Sequence, residues 1–337
     1  MGNTPVYKAN GVLSYLVTVA LFFTAWRLAL FDPAAVYDSL GSILATSNLV
    51  SFAVCVLLLL KGWHAPTTSD HRTTGSIIYD FYSGVELFPR IGRSFDIKTW
   101  TNCRMGMMSW GVLPLCYAAK QAQLYGQVSP SMLVSVLLME AYVFKFFLWE
   151  TGYWSSMDIT HDRAGFYLCW GCLVWVPGVY TSPAMYLVRH PNQLRPAVAA
   201  GLLLAGLVSI AVNYDVDRQR LQFRRTHGKA YIWGRPPRTV KASYTTGSGK
   251  TESSLLLASG WWGLSRHFHF LPELLAAFLW TVPALFEDFA PYFYFFFLAA
   301  LLADRAMRHD MRCKAKYGRH WDRYCSLVPY KIIPYVY

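Results

Sequence analysis

Three stretches of this chain carry residue types and spacings that could do chemistry. The run Arg218-Gln-Arg220-Leu-Gln-Phe223-Arg224-Arg225 sets Arg220 and Arg224 four residues apart, hence on one face of a helix. Two guanidiniums on one face offer forked donors to the oxygens of a phosphate-rich ligand. The same run also reads as a juxtamembrane topology signal, and spacing alone favours that plainer use. A second stretch, Leu257 to Phe270, interleaves small residues with Trp261, Trp262, His267 and His269. A tryptophan there could stack on a planar ring or simply anchor the chain at a membrane interface. His267 and His269 stand two residues apart without a nearby carboxylate or cysteine, so no metal site is expected from them. The third stretch, Arg308 to Tyr324, holds His309, Asp310, Cys313, Lys316, Tyr317 and Tyr324. Its cationic and phenolic donors could bind a dinucleotide, or form a solvated basic tail.

Ionisable groups also interrupt apolar segments. Glu140, Tyr142 and Lys145 fall within one such segment, and Asp158, His161 and Asp162 just before the next. Ionisable groups inside a bilayer are expensive and count as functional candidates, although Glu140 and Lys145 could equally be a structural pair. No GxGxxG turn occurs, so a dinucleotide site here would not be of the Rossmann kind. Gly247-Ser-Gly-Lys250-Thr251 lacks the upstream glycine of a phosphate loop and is discarded as one. Residues 245–254 read as a flexible polar linker of the Gly/Ser type.

The elements that must position these groups are membrane helices. Of 337 residues, 54% are hydrophobic and only 15% charged, against about 25% charged in soluble domains. Mean hydropathy is +0.26. That excludes disorder and an ordinary soluble enzyme. Seven cysteines, an odd number without regular spacing, exclude a secreted disulfide scaffold. Apolar segments near 11–30, 43–60, 105–124, 131–149, 164–188, 197–214, 268–285 and 287–303 predict an all-α polytopic bundle of about 8–10 spans. The first segment does not read as a cleaved signal peptide. The net charge of +12 is concentrated in 61–104, 215–250 and 305–331. Those basic stretches fall on one side of the expected spans, which predicts a shared cytosolic face and cytosolic termini. Basic loops beside a membrane set topology or meet anionic lipid, so membrane lipid is expected as a partner and nucleic acid is not.

Taken in order, the longer motifs resemble the integral-membrane sterol reductases. They are Asp80 to Gly92, Phe95-Asp96, Asp158 to Gly171, Trp175-Val-Pro177, Tyr186 to Leu194, Phe223 to Gly228, Tyr231 to Arg235, Ser259 to Phe268 and Cys313 to Tyr330. The likeness covers about residues 78–337. It implies N-terminal spans over 1–78 and a sterol reductase domain over 79–337, whose half from about 215 onward would carry a cytosol-facing NADPH pocket. It further implies a multi-pass protein of the endoplasmic reticulum membrane that reduces a sterol ring double bond with NADPH. The Δ7 bond of 5,7-dienes is the expected target, with Δ14 reduction or a catalytically inactive sterol-binding protein as alternatives.

Matched by position, the resemblance makes Arg220, Arg224, Leu257, Trp262, His269, Phe270, Cys313, Lys316, Tyr317 and Tyr324 nucleotide contacts. Tyr142 would be the proton donor, with His309 and Asp310 as its catalytic associates. Family members carry an acidic residue where this chain has His309, an aspartate at Cys172, and asparagine at His269.

Overall fold

The computed structural model describes residues 4–246 and 249–337. Gly247 and Ser248, the opening of the discarded phosphate-loop reading, lie outside the described residues. The chain is mostly helical and forms two compact units, Met1–Gly201 with Trp280–Tyr294, and Leu202–Leu279 with Phe295–Tyr337.

The first unit is built on the helices Gly11–Arg27, Leu40–His64, Met107–Tyr125 and Pro130–Leu148. Local chemistry sets their ends. Ser129 caps the last of these by accepting from Met132 N at 3.3 Å, and Pro130 occupies the first turn, where a missing N–H costs nothing. Met107–Tyr125 stops at Gly126, whose φ of +74° suits a left-handed C-terminal residue. In Leu40–His64 only 17% of the apolar window is buried. Its exposed leucines and valines are what a helix in lipid presents.

Among the described residues, three helices, Leu40–His64, Pro130–Leu148 and Pro196–Arg225, are long and apolar enough to cross a membrane by length and composition. Gly11–Arg27 and the stretch Phe270–Ala284 are apolar but shorter. The segment expected to span continuously over 164–188 is instead divided. It runs as Phe166–Trp170, a π-helical turn sequence Gly171–Tyr180 and a short helix Ser182–Leu187. Pro177 and Pro183 lie in it, and proline lacks the N–H that an unbroken α-helical ladder needs.

Buried ionic and polar clamps hold the polar segments of this unit. Lys98, wholly buried, donates its ammonium to the backbone oxygens of Asp158 (3.2 Å), Ile159 (2.7 Å) and Asp162 (2.9 Å), and lies 4.4 Å over the Phe88 ring. Glu86 accepts from Lys61 at 2.7 Å and from the backbone of Thr67 and Thr68 at 2.6 and 2.8 Å. Glu150 pairs with Arg104 and accepts from Gly11 N, which ties down the start of the first helix. Gly84, at φ +87°, passes so close to the Ala164–Gly165 backbone that an added Cβ would lie 2.6 Å from Ala164 C and Gly165 N. Much of the motif wording in 80–98 and 158–165 is thus structural.

The second unit departs from an all-helical reading. Thr239–Thr245 and Thr251–Leu257 pair as an antiparallel hairpin, with Thr239 opposite Leu257 and Thr245 opposite Thr251. The linker expected over 245–254 is corrected accordingly: Thr245 and Thr251–Ser254 belong to strands. Val240 and Ala242 are buried two residues apart on one face, the period-2 pattern of a half-buried strand. Around the hairpin lie Pro196–Arg225, Trp261–Leu264, Phe270–Thr281, Phe293–Tyr317 and Arg319–Leu327.

Candidate functional site

Every nucleotide contact expected from the resemblance, together with His309 and Asp310, falls in the second unit; Tyr142 is in the first. Within the second unit the helix Pro196–Arg225 supplies Arg220 and Arg224, and the spacing of one turn holds as read. Gln219 on the same turn accepts from Trp261 N at 3.0 Å, and Val216 O accepts from Trp262 Nε1 at 3.0 Å. Those two bonds seat the tryptophan pair against the helix. The Arg220 guanidinium lies 4.6 Å over the buried Trp262 ring, a cation–π contact that holds the charge beside a flat apolar face. The Trp262 and His269 rings are 5.2 Å apart, and those of His269 and Phe270 4.2 Å apart. Leu257, at the end of the hairpin, packs in the same apolar cluster as Trp262.

The C-terminal helices complete the cluster. Cys313 and Tyr317 pack against a core of Val240, Ala258, Trp321, Tyr324 and Val328. Lys316 lies 4.0 Å over the Tyr244 ring. Burial pushes the Tyr324 phenol up, so it stays protonated and able to donate; its hydroxyl reaches Trp262 O at 3.5 Å. Burial, with His267 and Arg220 adding to it, pushes His309 down to about 3. The imidazole is therefore neutral at physiological pH. It can donate through its N–H or accept, but it brings no formal charge.

Two residues that sequence reasoning left out of the site hold it together. Arg266 donates to Val328 O and Pro329 O, both at 2.8 Å, and to Asp310 Oδ2 at 3.2 Å. His267 N donates to Lys331 O at 2.7 Å, and its ring meets that of His309 edge-on at 4.9 Å. The Ser-Arg-His-Phe wording at 265–268 was the available signal, but it gave no hint that the partners would be backbone oxygens of the tail.

In the first unit, Tyr142 sits in an aromatic group. Its ring is 5.0 Å from that of Trp110 and 5.3 Å from that of Trp280; Tyr180 and Tyr294 pack behind Trp110 at 5.1 and 6.2 Å. Lys145, one turn on, places its ammonium 4.3 Å over the Tyr142 ring. The neighbouring Glu140 accepts a hydrogen bond from Tyr15 of the first helix. Its place among ionisable groups in an apolar segment made Tyr142 a candidate among 22 tyrosines, and the resemblance alone gave it the role of proton donor.

Among the described residues, apolar helices of membrane length stand with a cluster of arginines, a lysine and aromatic rings in the second unit. The chain belongs to the Ergosterol biosynthesis ERG4/ERG24 family, which matches residues 2–337; its relatives are sterol reductases. It is 59% identical over 336 residues to the 7-dehydrocholesterol reductase of Arabidopsis thaliana, covering 100% of this chain and 78% of that one. The 7-dehydrocholesterol reductase of Xenopus laevis is 38% identical over 330 residues, 97% of this chain and 70% of the relative. A Delta(14)-sterol reductase from Methylotuvimicrobium alcaliphilum is 35% identical over 336 residues, 100% and 76%.

Proposed function

We propose that this chain reduces the Δ7 double bond of 5,7-diene sterols with NADPH, in the endoplasmic reticulum membrane. The observation that carries the bond choice is the 59% identity, along the whole chain, to a relative named for 7-dehydrocholesterol. Arg220, Arg224 and Lys316 supply the cations that a dinucleotide's phosphates require, and Trp262 and Tyr324 supply buried rings and a donor hydroxyl. That donor set fits NADPH, whose reduced nicotinamide, when bound, provides a hydride.

An alkene does not accept hydride until one of its carbons is protonated. The chain's own task is to give that proton and to shelter the electron-poor carbon beside it. Tyr142 donates the proton from its hydroxyl and regains one afterwards, so the net reaction adds one proton and one hydride across the double bond. Apolar walls keep water from the cationic carbon. The resemblance alone assigns His309 and Asp310 a part in the same step.

Arg224→Ala should weaken NADPH binding about 10- to 100-fold, the loss of one charge-assisted contact at about 1.5–3 kcal/mol. Trp262→Ala should weaken it as well. Direct titration of the purified protein checks this, and unchanged affinity in both variants would remove the proposed pocket.

The reaction is tested by expression in a sterol-producing host that lacks Δ7 reduction, with sterols profiled by mass spectrometry. Loss of 5,7-dienes and gain of 5-monoenes is the expected result. An unchanged profile with the protein verified in the membrane would overturn Δ7 reduction. Conversion of supplied Δ8,14-dienes instead would assign Δ14 reduction.

A further inference from the structure

The turn that follows the helix Pro196–Arg225 presents two exposed aromatic side chains. Tyr231 is 71% exposed and Trp233 58%, while Ile232 between them is 5% exposed and sits in the buried cluster with Val216, Phe223 and Trp262. The alternation turns both rings outward from a fixed centre. Ile232 N donates to Arg235 O at 2.8 Å and Arg235 N donates back to Ile232 O at 3.1 Å, which closes a two-residue turn on Trp233 and Gly234. Their φ angles are +49° and +74°. Glycine takes that conformation freely, whereas a tryptophan there is an outlier that the surrounding structure must hold in place.

The depth of the turn follows from the helix before it. Residues 197–214 carry no charged side chain and rise about 27 Å at 1.5 Å per residue, close to the ~30 Å of a hydrocarbon core. Asp215 is the first charged residue beyond them. It accepts from Trp261 Nε1 at 2.9 Å, and the Trp233 ring meets the Trp261 ring edge-on at 5.1 Å. These contacts hold the turn level with the end of the apolar stretch, where lipid headgroups lie and where Trp and Tyr rings are favoured. The charge around the rings has one sign. No acidic residue occurs between Asp217 and Glu252, and Lys229, Arg235 and Arg238 are all exposed.

We propose that residues 229–238 form a docking finger for an anionic bilayer surface. Tyr231 and Trp233 sink into the headgroup layer, and Lys229, Arg235 and Arg238 pair with lipid phosphates and carboxylates. A zwitterionic surface would seat the rings but leave three cations without net counter-charge, so the charge complement is an anionic lipid. The finger depends on neither the sterol nor the nucleotide reading, and none of these five residues belongs to the proposed nucleotide pocket.

The test places the full-length protein in phosphatidylcholine nanodiscs. The emission that the wild type has and Trp233→Phe lacks reports the turn. Phosphatidylserine with brominated acyl chains, diluted into the nanodisc, should quench that emission at a several-fold lower fraction than brominated phosphatidylcholine. Arg235→Gln and Arg238→Gln should each raise the required fraction about fivefold, the worth of one cation beside an anionic leaflet, and high salt should raise it too. Equal quenching by the two lipids, or a requirement unmoved by both arginine changes, would overturn the proposal. Quenching by aqueous acrylamide and by neither lipid would also overturn it, and would leave the finger as a surface for a protein partner. The unmodified protein gives a further check that stands even if a variant fails to fold: it should immobilise spin-labelled phosphatidylserine in preference to phosphatidylcholine, and equal immobilisation would sink the idea.

Discussion

Tyr142→Phe should slow sterol reduction about 10²- to 10⁴-fold, the usual contribution of a positioned general acid, while NADPH affinity stays within about twofold of wild type. The substitution removes one hydroxyl and keeps the ring. Packing against Trp110 and Trp280, at 5.0 and 5.3 Å, is retained, and so is the Lys145 ammonium 4.3 Å over the ring. A fall in rate with normal abundance would therefore report the lost proton donor, not a lost fold. Lys145 sharpens the expectation, because a cation above a phenol stabilises the phenolate left after transfer. The decisive measurement is turnover in isolated membranes beside nucleotide binding by the same preparation. A rate within tenfold of wild type would mean that the proton comes from elsewhere.

The second large effect concerns stability. Lys98→Met should cost about 3–5 kcal/mol, because it strands backbone oxygens of Asp158, Ile159 and Asp162 that now share one buried ammonium. Each stranded acceptor costs about 1–3 kcal/mol, against a total stability of about 5–15 kcal/mol. Burial pushes the Lys98 pKa down to about 8, with Asp96 pushing back, so the charge is present at pH 7. Methionine is unbranched and only one heavy atom shorter, so it keeps most of the packing while removing the donor. Thermal unfolding in detergent should show a clearly lowered midpoint. A midpoint near that of the wild type would show that water replaces the ammonium at the three oxygens.

Legibility in the sequence followed the range of the interactions. The one-turn spacing of Arg220 and Arg224 is local, and it holds on the helix Pro196–Arg225. Apolar runs marked Leu40–His64 and Pro130–Leu148 within a few residues, because length and composition alone decide such helices. The hairpin was missed: threonine, serine and glycine are turn and linker residues, and the alternation of Val240 and Ala242 is too short to stand out beside membrane segments. The division of 164–188 depended on how Pro177 is accommodated, which hydropathy does not register. The meeting of His267 with His309 joins the loop before Phe270–Thr281 to the helix Phe293–Tyr317. Such a contact exists only after the unit folds. The partners of Lys98 are backbone oxygens, which no residue type advertises.

The near-contact of Gly84 with the Ala164–Gly165 backbone has a consequence for large-scale variant screens. Neither Gly84 nor Gly165 leaves room for even a methyl group, so nearly every substitution at either position will score as a null. In a growth-based screen the two will rank beside Tyr142, and a map of sensitive positions would invite their inclusion in the active centre. Scoring protein abundance alongside sterol output separates the classes. The glycine alleles should vanish from the membrane, while the tyrosine allele should persist there without working.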